Sequence, residues 1–205
     1  MQQGKTFALI SDAGTPLLSD PGYALVQEMI KLQFPFTCIP GPNAPVVALV
    51  LSGFSLQPFS FWGFLPVQQN RRKDILKRCA ARPDETLIFF ESPDRVLGFI
   101  RELGEELGDR QIAVCRELTK LHEEVIRGKI SELLPALSAR RLIGEFTIVV
   151  APGAGLQTVT MNESDLQTRF NRLQQEGLNR KEALKKLSRE SGRTRNELYR
   201  LLFKR

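Results

Sequence analysis

The stretch "ALISDAGTPLLSDPGYALV" (residues 8–26) decides how the rest of the chain is read. Residues 6–10 are apolar after a β-branched start and stop at a turn signal, the pattern of a buried strand. Asp20-Pro21-Gly22 reads as a helix start. Asp20 is the expected N-cap and Pro21 takes the first helical position, where its missing N–H is no loss. Ser11 to Ser19 is therefore expected as a loop at the carboxyl end of a strand. In open α/β sheets that edge is where ligands bind.

Working outward, strands and helices alternate. A helix is expected over about 21–32, a strand at "FTCI" (36–39), and a glycine-proline loop "PGPNAP" (40–45) leading into a helix that ends near Gly53. A basic helix follows "GFLP" (63–66), from Gln69 to Arg82. Then come a strand "TLIFFE" (86–91), a helix (93–108) and strands at 111–117, 123–130 and 145–152, with a short helix before the last. The alternation points to α/β architecture with at least partly parallel sheets. Prolines and aromatics at 55–66 and small residues at 151–160 mark two soft boundaries. They divide the chain into residues 1–60, 61–155 and 156–205.

With 205 residues, 42% hydrophobic and 25% charged, the chain has the composition of an ordinary soluble protein. Its longest apolar run (44–54) is too short to cross a bilayer. "MQQGKT" carries no export pattern, so no membrane is expected as a partner. Cys38, Cys79 and Cys115 form no C-x-x-C and there is one His, so reduced thiols in a cytoplasmic protein are expected, and no metal. Charge is uneven. Residues 165–205 hold 12 Lys/Arg against 5 Asp/Glu, net +7, while residues 1–164 hold 17 against 18, net −1. A basic tail is either a footprint for a polyanion or a solubilising helical surface.

Ser11, Asp12, Ala13 and Gly14 offer a carboxylate beside small residues that let a backbone approach closely. Pro40, Gly41, Asn43 and Ala44 offer a rigid turn with Asn43 as a possible N-cap. These residue types fit two tight turns and fit equally the walls of a crevice for a small polar cofactor. No phosphate-loop pattern is present. Farther on, Glu91 and Arg95 follow one strand, and Arg116, Glu117, Lys120 and His122 follow another. Gathered in one cleft they could orient an anionic substrate and activate a hydroxyl; apart, they are solvated strand ends. His122 lies beside two glutamates, which suits a surface residue as well as a chemical one.

In the tail, Ala183, Leu184 and Leu187 recur at helical spacing, Ser191-Gly192 breaks the pattern, and Thr194 can cap a helix carrying Leu198, Leu201 and Leu202. Two short amphipathic helices about a glycine turn make a helix-turn-helix. Arg193, Arg195 and Arg200 sit where a recognition helix meets nucleic acid. A helical hairpin used for packing is the competing reading.

Together, "SDAGTP…SDPG", "IPGPNAPVVALVLSGF", "GFLP", "IFFESPDR", "RELTKLHEEVIRG" and "GEFTIVV" resemble the tetrapyrrole methylase superfamily. The likeness is strongest to its ribosomal RNA branch, the small-subunit rRNA (cytidine-2′-O-)-methyltransferases. The resemblance implies two small α/β domains of the tetrapyrrole-methylase type, the first lacking its N-terminal segment, plus the helix-turn-helix tail. It implies S-adenosyl-L-methionine held by Asp12 to Gly14 and Pro40 to Ala44. The implied substrate is a cytidine 2′-hydroxyl in small-subunit rRNA or the 30S subunit, the implied assembly a homodimer, with the tail gripping RNA. Asp94 stands where that branch usually has His, and the branch's first strand and glycine loop have no counterpart before Thr6. An inactive fragment, or a nucleic-acid-binding module with a decayed methyltransferase body, is the alternative expectation. A small-molecule methylase fits the basic tail less well.

Overall fold

A computed structural model of the protein describes residues 4–153, 163–191 and 193–203. Its centre is a five-stranded sheet: β1 (Phe59–Phe64), β2 (Thr86–Glu91), β3 (Gln111–Arg116), β4 (Glu124–Lys129) and β5 (Phe146–Val150), in the order β1-β2-β5-β3-β4. β1 pairs parallel with β2, and the other three pairings are antiparallel. β1, β2 and β3 therefore all end at one edge of the sheet, where β4 and β5 begin.

Side-chain alternation sorts two cores. Leu87, Phe89, Ile112, Val114, Phe146, Ile148 and Val150 face one side, covered by α3 (Gln69–Ala80), α4 (Val96–Leu107) and α5 (Ile130–Ser138). Ile88, Ala113, Cys115 and Val149 face the other, where α2 (Ala44–Ser52) lays Ala48 and Leu49 against them. The small side chains of Ala48, Ala113 and Cys115 let this helix sit close. Arg127 of β4 pins its end by donating to the carbonyls of Leu51 and Ser52, two of the acceptors a helix C-terminus leaves open. Strands buried on both faces have no polar side to alternate, which is why "TLIFFE" and "FTIVV" read as continuous apolar runs.

Four expectations are corrected. Residues 6–10 and 36–39 join no ladder and form no strand, and they leave Phe7 63%, Ile10 86% and Ile39 86% exposed. Apolar, β-branched composition marks a segment suited to a sheet interior, but a strand needs a hydrogen-bonded neighbour and none flanks these among the described residues. Secondly, α1 (Tyr23–Lys31) begins after Gly22, whose φ of 128° makes the turn, and no side chain caps it. Asp20 and Pro21 lie before the helix. Thirdly, the aromatic stretch that breaks the expected alternation contains a strand not expected there, β1, an edge strand with a bulge between Phe61 and Gly63. Lastly, the tail contains a further helix, α6 (Glu163–Gln175), ahead of α7 (Arg180–Ser191) and α8 (Arg195–Phe203). Leu166, Phe170 and Leu173 of α6 pack with Ala183, Leu184, Leu187 and Leu198 in a small core. Arg169 of α6 is bidentate to Glu190 of α7 at 2.7 and 2.8 Å. Thr194 caps α8 as expected, with Glu197 accepting from its backbone N–H at 2.7 Å. Gly192 of the turn, and most of the linker before α6, lie outside the described residues. No described helix is long and apolar enough to cross a membrane.

Candidate active site

The sheet edge where β1, β2 and β3 end collects the charged residues singled out in the sequence. Register places Glu91, Phe146, Arg116 and Glu124 in one row across β2, β5, β3 and β4. The row closes the top of the larger core.

Glu91 is buried, 2% exposed. One carboxylate oxygen accepts from the Ser92 N–H at 2.9 Å, and the other lies 3.1 Å from the Arg95 guanidinium without hydrogen-bond alignment. Burial pushes its carboxyl above the usual range, against the pull of the Ser92 N–H and of Arg95 and Arg72. Arg95, more open than Glu91, donates to the Leu65 carbonyl at 3.0 Å. Arg72 of α3 continues the pattern, donating to the carbonyls of Pro66 at 3.1 Å and Val67 at 2.9 Å while its other edge grips Glu102. Two guanidiniums thus hold the three successive carbonyls of Leu65, Pro66 and Val67, just past β1. Sequence reasoning missed Arg72: within "RRKDILKR" nothing separates it from its basic neighbours.

The 117–123 loop is built on Glu117, with φ +50°, and Thr119, with φ +65°. Glu117 Oε1 accepts from the Glu145 N–H at 2.8 Å and from Lys120 Nζ at 3.1 Å, and Lys120 also reaches Glu145 at 3.0 Å. The Glu145 N–H, then Lys120, hold the Glu117 carboxyl below the usual carboxylate range, and Glu145 and Glu117 raise the Lys120 ammonium. Gly144 makes room: at φ +91°, a Cβ there would stand 2.5 Å from Glu117 Oε1. Arg116 faces Glu124 at 3.6 Å and keeps a buried Nε with no acceptor. His122 is exposed and has no hydrogen-bond or ion-pair partner among the described residues.

The two N-terminal loops meet each other. Thr15 Oγ1 donates to the Pro42 carbonyl at 2.8 Å, and Asn43 Nδ2 approaches the same hydroxyl at 3.4 Å. Asn43 also caps α2, its Oδ1 accepting from the Val46 N–H at 3.1 Å. Ser11 Oγ closes its own turn on the Ala13 carbonyl at 3.1 Å. Asp12, Ala13, Pro40 and Gly41 are exposed, Ala44 is half-buried, and a Cβ on Gly14 or Gly41 would meet nothing within 4 Å. Exposed backbone, a free carboxylate and open space above two glycines suit a small polar cofactor with hydroxyl and ammonium groups. The loops also border the charged edge. A Cβ on Gly63 would lie 3.2 Å from Ser19 Oγ, and Val46 and Val47 share a hollow with Glu123. In the tail, Arg193 and Arg200 flank Glu197 and Leu201 around one shallow hollow, and Arg195 is exposed at the start of α8.

Residues 1–134 match the family of Tetrapyrrole (Corrin/Porphyrin) Methylases. The chain is 41% identical over 151 residues to the Ribosomal RNA small subunit methyltransferase I of Thermotoga maritima, covering 74% of this chain and 67% of that one. It is 39% identical over 204 residues to the Bacillus subtilis protein of the same name, covering 97% of this chain and 69% of that one. For the Mycobacterium tuberculosis protein of that name the identity is 44% over 155 residues, 75% of this chain and 54% of the relative. The match thus spans from about half to about two thirds of these relatives' lengths. Among solved structures, the methyltransferase CobJ superposes with a TM-score of 0.51 at 19% identity, covering 70% of this chain and 63% of that one, a likeness of fold. The chain belongs to the tetrapyrrole (corrin/porphyrin) methylase family.

Proposed function

We propose that this chain transfers a methyl group from S-adenosylmethionine to small-subunit ribosomal RNA, at the ribose 2′-oxygen of a cytidine. The observation that carries the reading is the extended identity to rRNA methyltransferases, 97% of the chain in the Bacillus subtilis case, which runs through both the paired loops and the charged edge. Bound there, S-adenosylmethionine supplies a methyl group already activated by a sulfonium sulfur. Held between the paired loops, it would present that methyl to the ribose oxygen at the charged edge, where the hydroxyl proton could leave to solvent or an exposed carboxylate. The protein's work is then mainly positioning.

Asp12 and the backbone of Ala13 and Gly14 take one side of the cofactor, and Pro40 to Ala44 the other. Arg95, Arg116 and Lys120 are the cations at the edge that can orient a phosphate. Glu91, buried behind Arg95, positions it. Glu117 sets the loop that presents Lys120. Arg193, Arg195 and Arg200 supply RNA affinity away from the chemistry. A homodimer is the assembly this reading expects, and exposed Val46 and Val50 on α2 supply an apolar face for it. The cytoplasm is where such a substrate is met. A second reading, an RNA-binding body without catalysis, draws on the exposed apolar segments 6–10 and 36–39.

Calorimetric titration with S-adenosylmethionine, followed by transfer of labelled methyl to 30S subunits, tests the proposal. Micromolar cofactor binding with label in 16S rRNA is expected. A folded chain that binds RNA but not the cofactor supports the second reading and defeats the first. Replacing Arg195 and Arg200 by Gln tests the tail. RNA affinity and its salt slope should both fall, and unchanged values would remove the tail from the interface.

A further inference from the structure

The acidic and basic residues of the body nearly cancel, but not locally. α3 and the two residues past it carry Arg71, Arg72, Lys73, Lys77, Arg78 and Arg82 against Asp74. Arg72 is occupied by Glu102, and Arg82 lies 3.4 Å from Glu85. Arg71, Lys73 and Lys77 pair with no carboxylate among the described residues. Arg71 and Arg78 are spaced i, i+7, so they share one face of α3 about 10 Å apart, and Arg82 follows just past the helix end. That face lies against the edge strand β1. The Arg78 guanidinium stands 5.7 Å and the Arg82 guanidinium 5.5 Å from the Trp62 ring centroid. Trp62 is half-buried, its N–H already bonded to Ser60 Oγ at 2.9 Å. Exposed Phe64 (55%) and Val67 (74%) continue the edge toward the site.

Such a stripe has a direction. α3 starts where Arg72 clasps the carbonyls of Pro66 and Val67, at the sheet edge that carries Glu91 and Arg95, and runs to the opposite edge. A chain of phosphates laid along it would be led toward the candidate site. Unpaired cations on α3, beside an edge strand that carries half-buried Trp62 and exposed Phe64, match single-stranded or looped RNA better than a protein surface. Phosphates neutralise the first, and unstacked bases cover rings and guanidinium planes. We infer that the α3–β1 edge, through Arg71, Lys77, Arg78 and the Trp62 platform, is a second RNA-contacting surface, separate from the tail. The inference rests on the rRNA reading above and extends it to where the strand runs.

The test uses the full chain and a labelled transcript of the decoding-region hairpin of small-subunit rRNA, with binding measured by anisotropy across a salt series. The variant carries Arg71→Gln, Lys77→Gln and Arg78→Gln, all exposed positions. Its S-adenosylmethionine affinity and thermal transition should match the original protein. RNA affinity should fall about tenfold or more at physiological salt, and the slope of log K against log salt should drop by about 2. Trp62→Phe, which keeps a ring, should bind more weakly than the original protein by a few-fold without changing that slope. A triple variant with the original affinity and slope overturns the inference while leaving the rRNA reading intact. An original chain that binds cofactor but no transcript overturns both.

Discussion

The Thr15 hydroxyl donates to the Pro42 carbonyl at 2.8 Å, joining two loops that lie 27 residues apart in sequence. This bond is the cross-link of the proposed cofactor crevice, since neither loop is tied down by a strand ladder. Thr15→Val keeps the shape and removes the donor. A single neutral hydrogen bond contributes about 0.5–1.5 kcal/mol, so S-adenosylmethionine affinity should fall about 3- to 10-fold. Thr15→Ser should recover most of it. Calorimetry showing Thr15→Val equal to the original protein would detach this bond from cofactor binding.

Glu91 gives a pH signature of known sign. Burial raises its folded-state pKa above the value in the unfolded chain. Between those two values the native state holds the extra proton, so stability falls as pH rises through the interval and is level above it. Glu91→Gln removes that titration. The stability difference, variant minus original protein, should therefore climb with pH from the ordinary carboxylate range up to the raised value. Urea unfolding midpoints at closely spaced pH values measure it. A difference independent of pH would mean that Arg95 and the Ser92 N–H offset burial fully.

How much of this could be read in the sequence follows from where the information resides. Strands β2, β3 and β5 were legible because double burial writes a continuous apolar run, and Asn43 and Thr194 because capping is local. Glu91, Arg95, Arg116, Glu117 and Lys120 stood out as charges at strand ends. Their shared edge was not visible, because it depends on β5 entering between β2 and β3, a non-local choice. Residues 6–10 show the converse. The local pattern states a preference for a sheet, and the neighbour that would satisfy it is not among the described residues. β1 was hidden by its own aromatics and glycine bulge, which look like a linker. Arg72 was hidden because its distinction is geometric.

Arg72 and Glu102 form a fork pair 14% and 15% exposed, between the surface and the buried extremes. Removing one partner strands the other charge, and here also releases the carbonyls of Pro66 and Val67. Arg72→Met should destabilise by about 2–3 kcal/mol, between the surface and buried cases. The double variant Arg72→Met with Glu102→Leu should be more stable than Arg72→Met alone, because no charge is then left unpaired. Denaturant unfolding of the four proteins closes the cycle. A double variant as unstable as the sum of the singles would show that the carbonyl contacts, not the pair, carry the effect.

Gly144 backs the Glu117 carboxylate. Its φ of +91° is costly for any side chain, by about 1–2 kcal/mol, and a Cβ would fall 2.5 Å from Glu117 Oε1 and 2.7 Å from its Cγ. Gly144→Ala must therefore expel the Glu117 carboxylate from the Glu145 N–H and from Lys120. Among the described residues, neither N-terminal loop is hydrogen-bonded to Gly144. S-adenosylmethionine affinity should stay within about twofold, while methyl transfer to 30S subunits drops by about 10- to 100-fold, the range a misplaced positioning group produces. Glu117→Gln should lose less than Gly144→Ala, because the amide oxygen can still accept from the Glu145 N–H. If Gly144→Ala lost cofactor affinity in proportion to activity, the 117–145 contact would belong to the cofactor crevice and not to the substrate side.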